Sequence, residues 1–225
     1  MHFVILQKKP MRYLSILVLV LFIAACGNKE KKEEVILKLN PTDTLDKLLS
    51  IKNEAELIEK FGNDNVTWDT VYGAEGAVSM ATLLYKGTCD QVEITWKNIK
   101  NKTEISKVTL SALYDEKQEK LITFSHWKTS FGIRLGTSLK ELETMNEVPF
   151  IFFGFGWDYG GIVSEFNSGK LTTLPISLQL GITDVVKDGN NPDYEMLMGD
   201  NEFNSDDAEA QRLNPVVISI SVLKK

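Results

Sequence analysis

Two stretches of this chain look alike at a fixed distance, and that repetition constrains the fold more than any other feature. When "IRLGTSLKELETMNEV" is set 84 positions after "SIKNEAELIEKFGND", Ile51 meets Leu135, Ala55 meets Leu139, Ile58 meets Leu142 and Phe61 meets Met145. Each copy has apolar residues three to four apart, so each predicts a short amphipathic helix with one buried stripe. Asn53 with Glu56, and Ser138 with Glu141, have the capping-box spacing that satisfies free N–H groups at a helix start. Gly62 and Asn146 are aligned as well, and both residue types readily take the left-handed conformation that closes a helix.

The offset continues into the strands. "DQVEITW" sets Val92, Ile94 and Trp96 on alternate positions, and "LPISLQL" sets Ile176, Leu178 and Leu180 84 residues later. Alternation of this kind suits antiparallel strands with one buried face. "GAVSMATLLYK" and "ISKVTLSAL" complete the first set of strands, "GGIVSEFN" and "VVISISVL" the second, and "LITFSHW" reads as a connecting strand. The expected architecture is therefore α+β: a tandem repeat of a helix followed by three antiparallel strands, with one copy over residues 45–121 and the other over 122–225.

Ahead of the repeats stands a leader. Residues 13–25 are almost wholly apolar, and Lys8, Lys9 and Arg12 precede them, which is secretory signal architecture. The run is shorter than the roughly 20 residues a bilayer-spanning helix needs. "MRYLSILVLVLFIAAC" holds every element of the signal, so Met11 serves as a start as well as Met1 does. Its close, "IAAC", resembles the lipobox of bacterial lipoproteins. That resemblance implies a signal peptide over 1–25, acylation of Cys26 and a charged tether over 26–44. Several acyl chains together hold a protein on a membrane almost permanently, where one binds only marginally. Gly27 stands where Asp would favour inner-membrane retention, so the resemblance implies lipid anchoring at the outer membrane; the tether "KEKKEE" leaves both the periplasmic side and the cell surface open.

Without its first 25 residues the chain carries 22 basic against 31 acidic residues, a formal charge of −9. Such a surface argues against nucleic acid as a partner. Cys89 is then the one cysteine besides Cys26, which rules out an internal disulfide framework.

The phrase "GIRLGTSLKELETMN", followed by aromatic and β-rich chain, resembles the helix-plus-sheet module of the small β-barrel-assembly lipoprotein, and its doubling is similar to the β-lactamase-inhibitor-protein fold. The resemblance spans residues 45–225. Gly136-Thr137-Ser138 matches the usual helix entry without its Met, and Asn146-Glu147-Val148-Pro149 stands where Gly-x-Pro is common. Those families bind other proteins and catalyse nothing, so the resemblance implies a non-enzymatic binding role.

Two features break the symmetry of the copies. The first is an insertion: Trp96 and Val108 are 12 residues apart, whereas Leu180 and Val217 are 37 apart. The added stretch, about 184–212, holds eight acidic residues from Asp188 to Glu209 and, within "DGNNPDYEMLMGDNEFNSDDAEAQ", no Lys or Arg. It fails the EF-hand pattern, since from Asp200 onward Ser205 stands where Gly is required and Gln211 where the bidentate Glu belongs. It reads as a solvated acidic loop with a helical turn around "YEMLMG", as a looser divalent-cation site, or as a contact for a basic partner through Asp200, Asp206 and Asp207.

The second is "VPFIFFGFGWDYGG", with six aromatic residues between Phe150 and Tyr159 and glycines at 154 and 156. Strand alternation would align Phe153, Phe155, Trp157 and Tyr159, as core or as an exposed face, while the glycines suggest a loop or bulge where backbone approaches closely. The matching stretch "NVTWDTVYGAEG" offers Trp68 and Tyr72. Aromatic residues supply much of the energy at protein interfaces, so Trp68, Tyr72, Phe155, Trp157 and Tyr159 are the expected partner-binding set on an aromatic sheet face.

Catalytic machinery finds little support. Beyond the leader there is one histidine, His126, too few for a two-histidine metal site, and its pairing with Cys89 as a nucleophile has no local signature. The leading expectation is a lipid-anchored, non-enzymatic envelope protein that binds a protein or peptide without a cofactor or metal. The alternatives are an envelope hydrolase using paired carboxylates near Asp158 on glycan or peptide, and a calcium-stabilised structural lipoprotein.

Overall fold

The computed structural model describes residues 44–184 and 190–225. The expected signal segment, the expected lipidation site Cys26 and the expected tether up to residue 43 lie outside the described residues.

The chain opens with α1 (Leu45–Leu48) and α2 (Glu54–Phe61). Asn53 accepts the Glu56 N–H at 2.9 Å at the start of α2, and Glu56 reaches back to the Lys52 N–H. Gly62 ends the helix at the expected position, but at φ 90° and ψ 146° it takes an extended positive-φ conformation open to glycine rather than the left-handed helical one. Four strands follow: β1 (Val66–Tyr72), β2 (Val78–Leu84), β3 (Val92–Asn98) and β4 (Thr103–Ser111). Three were expected. β1 escapes a periodicity search because Trp68 and Tyr72 share a face with Thr70, so apolar and polar residues do not alternate.

A small hairpin of β5 (Leu113–Asp115) and β6 (Lys120–Ile122) then leads to α3 (Leu139–Asn146). Of the expected connecting strand "LITFSHW", only its first two residues are extended, within β6. Ser138 and Glu141 form a complete capping box on α3. The left-handed residue closing this helix is Glu147, at φ 67°, rather than the predicted Asn146. Asn146 is instead buried, accepting the Leu171 N–H and donating to the Val148 and Phe166 carbonyls.

Beyond α3 come the short strands β7 (Ile151–Phe153) and β8 (Val163–Glu165), then β9 (Ile176–Gly181). The acidic insertion is not a plain loop. It contains α4 (Pro192–Met196), β10 (Glu202–Asn204) and α5 (Ala208–Leu213), before the long β11 (Val216–Leu223). β10 pairs antiparallel with β7, setting Phe203 opposite Phe152. Arg212 ties the two ends of the insertion together by gripping Asp193 and Glu209.

The main sheet has six strands in the order β1-β2-β3-β4-β11-β9, every pair antiparallel. Both expected segments, 45–121 and 122–225, contribute to it, and they meet at the β4–β11 seam. Register explains its two faces. Leu84, Val92, Leu110, Ile220 and Leu178 lie in one cross-strand row and are all buried. The α2 side chain Glu54 accepts the Thr82 hydroxyl, which in turn accepts the Trp96 indole N–H, so α2 covers this apolar face. The opposite face carries Glu93, Thr109, Ser111, Ser219, Ser221, Ser177 and Gln179, with hydroxyl pairs Thr109–Ser221 and Ser111–Ser219 each at 2.9 Å.

At the β9 edge, Gln179 bridges to Ile162, just before β8, and the Leu180 N–H donates to the Gly161 carbonyl at 2.7 Å. This joins the three-stranded sheet β10-β7-β8 to the main one. The β1–β2 turn reaches the turn between β7 and β8: the Glu75 N–H donates to Asp158 Oδ2 at 2.7 Å. Among the described residues no helix is long and apolar enough to cross a membrane.

Candidate partner-binding site

The aromatic run after α3 divides between core and surface. β7 ends at Phe153, and Gly156, at φ +87°, turns the chain so that strand alternation stops. Phe150 and Phe152 are fully buried and Phe155 is 4% exposed. Phe155 stacks on Tyr194 of α4 with ring centres 5.4 Å apart. The expectation of one exposed stripe is thus corrected: Phe155 is part of the packing between β7 and the insertion. The glycines behave as read. A Cβ on Gly154 would lie 2.6 Å from both the Gly199 and Leu197 carbonyls, so only glycine admits the insertion's backbone here.

Trp157 and Tyr159 stay at the surface, 38% and 36% exposed, with their rings edge to face at 5.3 Å; Phe153 and Trp157 meet likewise at 5.7 Å. The Trp157 indole N–H donates to the Gly154 carbonyl at 2.9 Å, which fixes the ring. Such a preorganised aromatic side chain loses little conformational entropy on meeting a partner.

Beside this pair opens a cleft of about 420 Å³. Its walls are Phe155, Leu180, Ile182, Tyr194 and Ile218 with Leu121 from β6; Trp157 and Asp158 also line it. Asp158 is the one carboxylate among the lining residues. The β1–β2 turn adds a second acidic group nearby, since the Glu75 N–H donates to Asp158, the neighbour of Tyr159. The Glu75 carboxylate, helped by burial and Asp158, pushes the Tyr159 phenol above its ordinary pKa.

The other expected residues scatter. Tyr72 is 80% exposed at the end of β1, beside the exposed Val78 and Met80 on β2. Trp68 lies on the helix-covered face, with Lys102 Nζ 4.5 Å above its ring and Lys102 paired to Glu54 at 2.7 Å. It is therefore part of the first half's packing rather than of a shared aromatic face. Asp200 sits in the exposed turn between Gly199 and Asn201, whose backbones bond to Phe155 and Gly154. Asp206 and Asp207 stand past the other end of β10, where Asp207 accepts the Asn204 N–H. The acidic trio does not form one patch. Among the described residues, no group of three or more His, Cys, Asp or Glu is arranged to hold a metal ion.

Sequence reasoning missed one polar knot. Asp90, wholly buried, accepts the Ser125 hydroxyl, the His126 N–H and His126 Nδ1, each at 2.7 Å. The Trp127 indole donates to the Asp90 carbonyl at 3.1 Å. This fastens the segment ahead of α3 to the turn before β3. The neighbouring Cys89 thiol is pushed up by burial, with the Asp90 charge adding, which keeps it from being a ready nucleophile.

Comparison of the chain with protein-family models, with curated proteins and with solved structures finds no match.

Proposed function

We propose that this chain is a lipid-anchored envelope protein, non-enzymatic, whose body captures a protein or peptide partner at the rim formed by Trp157 and Tyr159. The observation that carries the reading is the rigid, half-exposed aromatic pair standing over an apolar cleft of about 420 Å³. Aromatic anchors beside a pocket are the usual source of binding energy in protein interfaces. The cleft's size falls within the range of ligand-binding cavities.

The body itself we read as two copies of one helix-plus-sheet unit. Supporting this are the side-chain caps at the start of both α2 and α3, and the β4–β11 seam, where the last long strand of each segment pairs antiparallel. With β8 bonded beside β9 and β7 beside β8, each unit has a helix and four strands. Acylation of Cys26 at the outer membrane, facing the periplasm or the cell surface, is the anchoring we infer from "IAAC" and the tether.

The test is a photo-crosslinking residue at position 159 in living cells, with a control at exposed Tyr114 on the β5–β6 hairpin. A discrete adduct at 159 that is absent at 114, and is lost with Trp157→Ala, supports the reading. No adduct at 159, or identical adducts at both positions, refutes it. Mass spectrometry of the mature N-terminus checks the anchor, which fails if Cys26 carries a free thiol.

A further inference from the structure

The cleft and its rim together specify the chemistry of what they take. We propose that the site seats an extended segment presenting a bulky apolar side chain to the cleft and, next to it, a Lys or Arg to the acidic rim. This deepens the partner-binding reading and rests on it.

The apolar requirement comes from the walls. Phe155, Leu180, Ile182 and Ile218 offer no charged group, and the stacked Phe155–Tyr194 pair makes one wall flat and rigid. An aromatic or branched aliphatic side chain entering here exchanges water for apolar contact. The cationic requirement comes from two carboxylates held together at the mouth. Asp158 lines the cleft, and its Oδ2 accepts the Glu75 N–H at 2.7 Å, which brings Glu75 to the same rim although it arrives from the opposite edge of the sheet. Among the described residues neither carboxylate is paired with a Lys or Arg. Lys120, adjacent to the lining residue Leu121, is already engaged with Asp184 at 3.0 Å. Trp157 lines the cleft next to Asp158, and a guanidinium or ammonium lying over its ring gains from the ring's negative face as well as from the carboxylates. A partner with a carboxylate at that position meets repulsion from two like charges, so charge sets specificity here as much as strength.

The test uses the full lipidated chain in detergent micelles with 5-fluorotryptophan in place of Trp, the Trp157 signal being assigned from Trp157→Phe. The probes are N-acetyl-Phe-Arg-amide, N-acetyl-Phe-Gln-amide, N-acetyl-Phe-Glu-amide and N-acetyl-Ala-Arg-amide. Phe-Arg is expected to shift the Trp157 signal alone among the four tryptophans. Phe-Glu and Ala-Arg are expected to bind at least about tenfold more weakly. In the double variant Glu75→Gln, Asp158→Asn the preference for Phe-Arg over Phe-Gln should vanish. Both substitutions are isosteric, and the Asn retains an oxygen for the Glu75 N–H, so fold and cleft stay in place. Equal binding of Phe-Arg and Phe-Glu, equal binding of Phe-Arg and Ala-Arg, or a Trp157 signal indifferent to all four overturns the proposal. If the peptides fail while the adduct at position 159 persists, the assigned chemistry is wrong and the binding role survives. If Phe-Arg binds but no adduct forms in cells, the binding role fails while the cleft's chemistry stands.

Discussion

Strands β1 to β4 run seven to nine residues each, whereas β7 and β8 hold three residues each and separate into a glycine-rich turn. The first region spends its chain on regular ladder, and its buried residues, Val92, Ile94, Trp96, Val108 and Leu110, alternate along it. The second gives up ladder between Gly154 and Gly161. In return it admits the insertion's backbone from one side and opens a cleft on the other. Regularity makes a stable wall, and its interruption makes a place to bind. The contrast predicts that close-approach glycines matter most in the second region and open-turn glycines little in the first.

The sharpest test is Gly161→Ala. At φ +77° its added Cβ would collide with the carbonyl of Leu180, the residue whose N–H donates to the Gly161 carbonyl where the β8 side joins β9. Overpacking plus strain should cost about 3 kcal/mol or more. Gly87→Ala has the same φ of +77° but nothing within 4 Å, so only the left-handed backbone penalty of about 1 kcal/mol applies. Equal losses in denaturant melts would break the comparison.

Next comes the helix C-terminus. Asn146→Ala removes a buried side chain making three hydrogen bonds and orphans the Leu171 N–H and the Val148 carbonyl, while the Phe166 carbonyl keeps the Gly169 N–H, for about 2 kcal/mol. Gly62, its counterpart 84 residues earlier, makes no such links: a Cβ there would touch only Asn65. Gly62→Asn orphans no buried group and meets only the strain of a backbone at φ 90° and ψ 146°, a region nearly confined to glycine, for about 1 kcal/mol. A large loss at 62 would show that the two helix ends do the same work.

What was legible in the sequence tracks the range of the interaction involved. The caps were readable because Asn53 with Glu56 and Ser138 with Glu141 lie within one turn of each other. The close approaches at Gly154 and Gly156 were readable as type, because glycine between aromatics has few other uses. The strand "EFN" was not readable, since three residues acquire a partner only when Ile151–Phe153, about fifty positions earlier, is in place. Glu147 as the left-handed residue was hidden by tertiary demand, because Asn146 was needed inside for Leu171 and Phe166. The meeting of Glu75 with Asp158 was equally hidden: the two are 83 positions apart, in turns between strands of two different sheets. The caps also offer the next prediction. Asn53→Ala and Ser138→Ala should each cost about 1 kcal/mol in thermal melts, and a silent Asn53→Ala would mean that the Glu56 contact to the Lys52 N–H suffices for α2.

The smallest expected effect separates the two regions on the polar face. Glu93 on β3 stands half-buried where position 177, 84 residues later on β9, holds an exposed serine. Burial raises the Glu93 pKa and the nearby Lys107 offsets it only in part. A carboxyl whose folded pKa lies above its unfolded one favours folding when protonated. Its contribution is present below the unfolded pKa and is lost as pH rises through the folded one. At neutral pH the ionised group is therefore a burden on β3, and Glu93→Gln should raise the melting temperature slightly there. The advantage should shrink as pH falls through the raised Glu93 value towards the ordinary glutamate pKa, where the native side chain becomes neutral too. A gain that is constant across that window, or a loss at neutral pH, would mean that the Lys107 charge outweighs the burial and that the polar face of the first region is held by its ion pairing rather than by its hydroxyl ladder.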